Sequence, residues 1–420
     1  MNRTTRIIRV TLAAGALALA ATPALRAQHV DPRAVPARPA LWAGADTNSA
    51  NAYYLHGVQR LESNPPVAAA AFYWAERLNP GWPDALYGRY AALLLTEPTR
   101  LSDYMGMRSF VLNNAEVQAI DSLALRATLR DPYLHSPLEK KLWTTYWRTY
   151  FREATRQYEV SAGEEDTWLA AVMFHADVSI KAWLDYLSGR YGPAADKYAE
   201  AIRTEHRQLT EMRLQLGRAQ YLSGDFARAA STIESAIAGY RANDQRDVVR
   251  LYQSKAVMEF SRAAALEQSG DSAGATQAYA RTLQEDLAFW AAHRRLAQRA
   301  AEKGDEATAL AEMALTVELA PNEADLRYEH AALLMLANQV DPAVAELRKA
   351  IQLDPYYATP HYLLALLNDQ SQVVPDAIDH YQHFLDLAAK DDPRRANAEQ
   401  RLAALNGTAP PAAPATASAP

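Results

Sequence analysis

Apolar positions recur along this chain at the three-and-four spacing of amphipathic helices, and from Ala256 to Lys390 the pattern repeats every 34 residues. One alanine series runs through Ala263, Ala297, Ala331 and Ala365, and a second through Ala275, Ala309, Ala343 and Ala377. Gly270 and Gly304 share one phase of this register, and Pro321 and Pro355 share another. A small residue held in phase over four units marks a contact where two helices approach too closely for a larger side chain. Continuous valine or isoleucine runs are missing and glycine is sparse, so the pattern predicts an all-α chain of helix–turn–helix units.

Taken in order, residues 1–27 read as a cleavable signal peptide. Arg3, Arg6 and Arg9 precede an apolar run from Val10 to Ala21 and a short small-residue stretch ending at Ala27. The run is too short to span a bilayer, and the segment has the layout of a secretory signal. Residues 28–48, with Pro32, Pro36 and Pro39, form an extended lead-in. Helices over 49–62 and 67–78, turned by Asn64-Pro65-Pro66, and a third from Pro83 to Leu95 make 49–95 an N-terminal repeat-like unit.

Over 96–174 the register is lost, and an irregular helical region is expected. Asn114 can cap a helix reaching Arg130. Ser136-Pro137-Leu138-Glu139 is a capping box, opening a helix to Gln157 that carries Trp143, Tyr146, Trp147, Tyr150 and Phe151 on one face. The register resumes as an array over 175–405, with units at 175–208, 210–243, 256–289, 290–323, 324–357 and 358–391 and a closing helix from Arg394. An insertion between Ala242 and Lys255 is expected to lengthen the helix that follows it. Residues 406–420 are an Ala/Pro/Thr/Ser tail without apolar periodicity, expected to be disordered.

Composition removes several function classes. There is no cysteine, hence no disulfide, thiol chemistry or cysteine-ligated metal. The whole chain has a formal charge of −6, and removal of 1–27 leaves 39 basic against 49 acidic residues, a charge of −10. Nucleic acid is therefore not an expected partner. After signal cleavage no transmembrane segment is expected, which places the mature chain in the periplasm or outside the cell.

In spacing and residue types the array resembles the tetratricopeptide repeat (TPR) family, most closely over 324–357. Ala331 and Leu334 lie there on the first helix, Ala343, Leu347 and Ala350 on the second, and Pro355 at the exit. Thr282, Thr316 and Phe384 stand where that family usually has a second-helix alanine, and Asn338 and Gln372 replace its turn glycine. The resemblance implies a right-handed α-α superhelix, a solenoid with an irregular helical insertion, whose first helices line a concave groove. Carrying over the family's groove-facing phase selects Trp183, Tyr186, Arg218, Tyr221, Phe260, Glu267, Arg294, Gln298, Tyr328, Met335, Tyr362 and Asp369. Such a groove suits an extended peptide or a partner helix. The function expected is thus a non-catalytic, exported scaffold that binds a protein or peptide partner. The competing expectation is a small-ligand or glycan binder, or an enzyme, with its site in 96–174.

Two further patterns bear on chemistry. Gly270-Asp271-Ser272-Ala273-Gly274 fits the G-x-S-x-G signature of serine hydrolases, but it falls at an inter-helix turn rather than between a strand and a helix. His380 and His383, with Asp376 and Asp379 nearby, have spacing that could hold a divalent metal; a solvated helix face is the more common explanation of such a cluster. Neither pattern assigns a catalytic residue, and no metal or other cofactor is expected.

Overall fold

The computed structural model describes residues 30–96, 115–134, 138–139, 141–142, 178–204, 209–244 and 254–407. The signal segment, all but four residues of the aromatic 137–157 helix, and the tail after Gly407 lie outside the described residues. Among those described, every regular element is helical: α1 (Ala50–Arg60), α2 (Pro65–Leu78), α3 (Pro83–Thr96), α4 (Ala115–Arg130), α5 (Val178–Leu187), α6 (Tyr191–Thr204), α7 (Leu209–Leu222), α8 (Phe226–Asp244), α9 (Lys255–Gln268), α10 (Ser272–Glu285), α11 (Trp290–Glu302), α12 (Glu306–Leu319), α13 (Ala324–Leu336), α14 (Val340–Leu353), α15 (Ala358–Gln370), α16 (Val374–Leu387) and α17 (Arg395–Leu405). They group into two units. One contains 30–37, 57–70 and 86–292; the other contains 38–56, 71–85 and 293–407.

Both alanine series are buried where the register predicts. Ala263, Ala297, Ala331 and Ala365 have no exposed surface, and Ala275, Ala309, Ala343 and Ala377 have at most 2%. Leu334, Leu347, Leu364 and Leu367 fill the space around them in the 324–370 repeats, with Tyr381 and Phe384 doing so in the last one. Where threonine replaces the second-helix alanine it remains completely buried, at Thr282 and Thr316. Each hydroxyl donates to its own helix, Thr282 to the Ala278 carbonyl at 3.0 Å and Thr316 to that of Glu312 at 2.9 Å. The polar atom is satisfied without a partner across the interface, so the site tolerates it.

The turn between paired helices has one geometry in six repeats. Gly189, Gly224, Gly270 and Gly304 have φ of 75°, 88°, 84° and 74°, and Asn338 and Gln372 adopt the same left-handed backbone at 58° and 59°. At each, the N–H bonds a carbonyl three residues back and the next residue's N–H bonds one five back, as in Gly304 to Ala301 and Asp305 to Ala300. This closes the helix ends. Asparagine visits that region readily, whereas glutamine does so at a cost. Asp271 and Asp305 then cap the second helix, accepting from the Gly274 and Thr308 amides at 2.8 and 3.2 Å.

Two features depart from the sequence reading. Residues 242–244 of the insertion continue the preceding helix: α8 is 19 residues long, while α9 keeps the ordinary 14, and 245–253 lie outside the described residues. Ile233, Ala236 and Ile237 form the buried stripe of α8, and Tyr240 carries it one position past the ordinary length. The second departure concerns the N-terminal segment. In the second unit, Trp74 lies edge-on to Tyr356, with centroids 4.9 Å apart, and the Arg38 guanidinium sits 4.4 Å from the Trp74 ring and 5.0 Å from that of Tyr356. Arg77 pairs with Asp354 at 3.1 Å. Asn48 donates to the Asp386 carbonyl, and the Lys390 amide donates to Asp46, both at 2.6 Å. Within this unit, residues 38–48 and the second half of α2 therefore rest on the inter-repeat turns at 354–357 and 386–390.

Burial pushes the Asp354 carboxyl up from its ordinary 3.8 to about 7, with Arg77 and the Tyr356 amide pulling it back. A carboxyl raised on folding binds its proton more tightly in the native state. Its contribution to stability is complete below the unfolded value and declines as pH rises through about 7. Urea unfolding at pH 4.5 and 7.5 should show a larger loss of stability in the wild type than in Asp354→Asn, which cannot titrate. A second comparison tests the turn. At Gly304 an added Cβ would meet no atom within 4 Å, so Gly304→Ala isolates the backbone term and should cost about 1–2 kcal/mol. Gln372→Gly should instead gain up to about 1 kcal/mol by the same measurement.

Candidate functional site

The first-helix face of the first unit is occupied by the chain itself. After α4, Asp131 accepts from the Tyr133 amide at 2.9 Å, and this tight Asp-Pro-Tyr turn swings the tyrosine ring onto the repeats. Tyr133 is 2% exposed. Its ring stacks on Tyr221 of α7 with centroids 3.5 Å apart and planes 4° from parallel. Its hydroxyl donates to the Ser261 carbonyl of α9 at 2.7 Å. One turn earlier, the Arg130 guanidinium lies 5.2 Å above the Trp290 ring at the start of α11. Burial raises the Tyr133 phenol well above its usual value, Tyr221 adding to the effect. The residue is a neutral anchor at any ordinary pH.

Beside this anchor is a cavity of about 90 Å³, lined by Thr128, Tyr133, Leu214, Arg218, Met258 and Ser261 among others. Ligand pockets are typically several times larger, on the order of 300 Å³ and above, so this one has room for a few waters and not for a sugar ring.

Of the twelve residues in the groove-facing phase, all but Glu267 and Asp369 fall into three groups. Tyr186 and Phe260, both 1% exposed, are packed inside the helix pairs and present no free ring face. Their size belongs to the core: Tyr186 packs with Ala194, Tyr198 and Ala219, and Phe260 against Tyr279 and Phe289. Arg218 and Tyr221 lie on the face covered by Tyr133, with Arg218 5.4 Å from the Tyr186 ring, and Trp183 is partly buried nearby on α5. Arg294, Gln298, Tyr328, Met335 and Tyr362 are half-buried on α11, α13 and α15 of the second unit.

In that second unit the first helices are tied by a ladder of side chains one repeat apart. Arg294 makes a two-pronged pair with Glu329, its Nε donating at 2.8 Å, and Gln298 reaches the same carboxylate at 3.5 Å. Tyr328 meets Tyr357 edge-on at 5.7 Å. Tyr362 donates to Asn397 at 3.0 Å beneath the Arg394 guanidinium, and Asp369 accepts two bonds from Arg401 at 2.8 Å. Asn397, Arg394 and Arg401 sit on or beside α17 and were not legible as part of this face, because the closing helix departs from the repeat signature. Glu267 and Asp369 serve a common role three repeats apart, each accepting a tyrosine hydroxyl from the second helix: Tyr279 at 2.8 Å and Tyr381 at 3.2 Å.

Ser272 of the hydrolase-like motif opens α10 beside the Asp271 cap. Gly274 is small because a Cβ there would stand 2.3 Å from the Asp271 carboxylate. The turn explains the whole motif. His380 and His383 are on α16, and the structure adds His361 from α15 to them. Among the described residues, no helix is long and apolar enough to cross a membrane.

No family model matches the chain, and no curated protein matches it either. Among solved structures, the chain is similar to the C-terminal part of a TPR repeat-containing protein from Cytophaga hutchinsonii, at 14% identity and a TM-score of 0.41 over 49% of this chain and 78% of that one. It is also similar to MamA from Desulfovibrio magneticus RS-1, at 17% identity and a TM-score of 0.35 over 42% and 94%. A third similarity is to YrrB, described as a TPR protein with an unusual peptide-binding site, at 15% identity and a TM-score of 0.38 over 50% and 100%. Nothing about this chain's function rests on likenesses of that size.

The Tyr133 anchor is testable by truncation. Tyr133→Phe removes one hydrogen bond and should cost about 0.5–1.5 kcal/mol. Tyr133→Ala also removes a buried ring and should cost about 3–5 kcal/mol. Hydrogen exchange should show the added loss of protection concentrated on α7 and α9.

Proposed function

We propose that this chain is a non-catalytic TPR scaffold that holds a protein or peptide partner on the first-helix face of α11, α13 and α15. The observation that supports the reading most is the self-occupied face of the first unit. There, the same class of surface holds a polypeptide segment through a stacked tyrosine and a cation over a ring, with a main-chain carbonyl taking the hydroxyl. The second unit offers the same elements half-exposed: Tyr328 and Tyr362 as stacking faces, Met335 as an adaptable apolar contact, and Arg294 with Glu329 as a polar rim. A segment with an aromatic anchor and flanking charges of both signs would match it.

Export completes the proposal. The arginine-flanked apolar segment at the N-terminus supports a role in the periplasm or outside the cell, with the partner an envelope or secreted protein.

The test is capture of envelope proteins by the purified chain, with each captured partner titrated against variants. Tyr328→Ala and Tyr362→Ala should each weaken the partner by on the order of tenfold or more, as aromatic anchors at interface centres do. Circular dichroism should report an unchanged helical array in both. Partners that bind both variants as they bind the wild type would refute this face as the binding surface.

A further inference from the structure

One repeat position departs from its counterparts in chemistry. On the first helix, His293, Arg327 and His361 are spaced 34 residues apart, and each meets the residue 19 positions later on the second helix. In two repeats that partner is an acid: His293 Nδ1 lies 2.6 Å from Glu312, and Arg327 donates to Glu346 at 2.9 Å. In the last repeat it is another base. His361 Nδ1 and His380 Nδ1 face each other at 3.3 Å, where the two preceding repeats set a basic residue against an acid.

Two ligands bound about 2.0–2.1 Å from one tetrahedral zinc stand about 3.3 Å apart, so the nitrogen pair already has the spacing of two coordination positions. His361 is buried, at 6% exposure, and so is held in place. Further ligands surround the pair. Asp379 Oδ2 is 3.9 Å from His380 Nδ1 and 3.4 Å from His383 Nδ1, and the His383 ring stacks on His361 with centroids 5.1 Å apart. Among the described residues no three such groups yet converge on one point. The third and fourth ligands would come from Asp379 and His383, whose side chains are 61% and 51% exposed; to reach the metal, His383 would exchange its present Nδ1 hydrogen bond to the Asp379 carbonyl, 2.8 Å long.

We propose that His361 and His380, completed by Asp379 and His383, bind one divalent transition metal of the zinc, nickel or copper group at the α15–α16 pair. Imidazole with a single carboxylate suits these ions, whereas magnesium and calcium prefer all-oxygen sites. The metal would stitch the two helices of the last repeat together, where the preceding repeat uses the Arg327–Glu346 ion pair.

The experiment is calorimetric titration of zinc chloride into the full-length, tag-free protein after removal of metal by chelator, with magnesium chloride as control. One equivalent of zinc should bind with a dissociation constant in the micromolar range or tighter and raise the thermal midpoint. Asp379, Asp376 and Arg348 are the other charges near the pair, and Asp379→Asn should reduce affinity without abolishing it. His361→Ala alone could disrupt the core, so the decisive variant is His361→Arg with His380→Glu, which installs the Arg327–Glu346 pair of the preceding repeat. It should fold like the wild type and bind zinc about tenfold more weakly or worse. Absence of zinc binding in the wild type, or unchanged binding in the folded double variant, would overturn the proposal.

Discussion

Close approach of two helices through alanine is the constraint on which the rest of this structure depends. A helix pair that touches at Ala331 and Ala343 leaves no space for a β-branched or larger residue at the contact, so its apolar volume is displaced to the positions around it. Leu334, Leu347 and Leu364 occupy those positions, and they belong to one cluster drawn from neighbouring helices. A single pair cannot enclose such a cluster. Stacking completes it, which is why the pattern has to recur and why the recurrence is visible at a fixed 34-residue period.

Given that contact, the other fixed positions vary only as far as their own physics permits. The turn needs a left-handed residue, and the series Gly270, Gly304, Asn338, Gln372 moves from no strain to appreciable strain while the hydrogen bonds persist. The second-helix position needs something compact or self-satisfied, and threonine qualifies because its hydroxyl bonds within its helix. The buried polar position needs internal compensation. Arg327 and His293 find it in a carboxylate, whereas the His361–His380 pair avoids unfavourable charge by staying neutral. Packing sets the framework, and electrostatics selects among the side chains that fit it.

Whatever repeats locally was legible in the sequence. Helix placement, turn positions and the buried alanines follow from residues within a few turns of each other, and periodicity multiplied a weak local signal fourfold. Contacts between distant segments were not legible. Nothing in Asp131-Pro132-Tyr133 announces that the ring stacks on Tyr221, nor does Trp74 announce Tyr356, since each such contact occurs once and leaves no period. The groove-facing phase erred for a related reason. Tyr186 and Phe260 hold groove positions by spacing, but whether a ring at such a position turns outward or inward depends on how much volume its neighbours supply. At Phe260 the space beside Tyr279 and Phe289 takes the ring.

The self-occupied face also bears on where an external segment can bind. A segment of the same chain meets its own binding surface intramolecularly, an advantage that a separate molecule lacks. A free partner competing for Tyr221 and the Ser261 carbonyl would have to exceed that advantage and also offset the cost of exposing Tyr133. Tyr328, Met335 and Tyr362 carry no comparable burden: their present contacts are with neighbouring side chains of the same array, and each keeps part of its surface in solvent. An incoming aromatic group there would add contacts without displacing a buried one. On the proposed function, the energetics of the occupied face favour the other as the partner surface, and the occupied face fixes the Asp131–Leu134 turn after α4 in place.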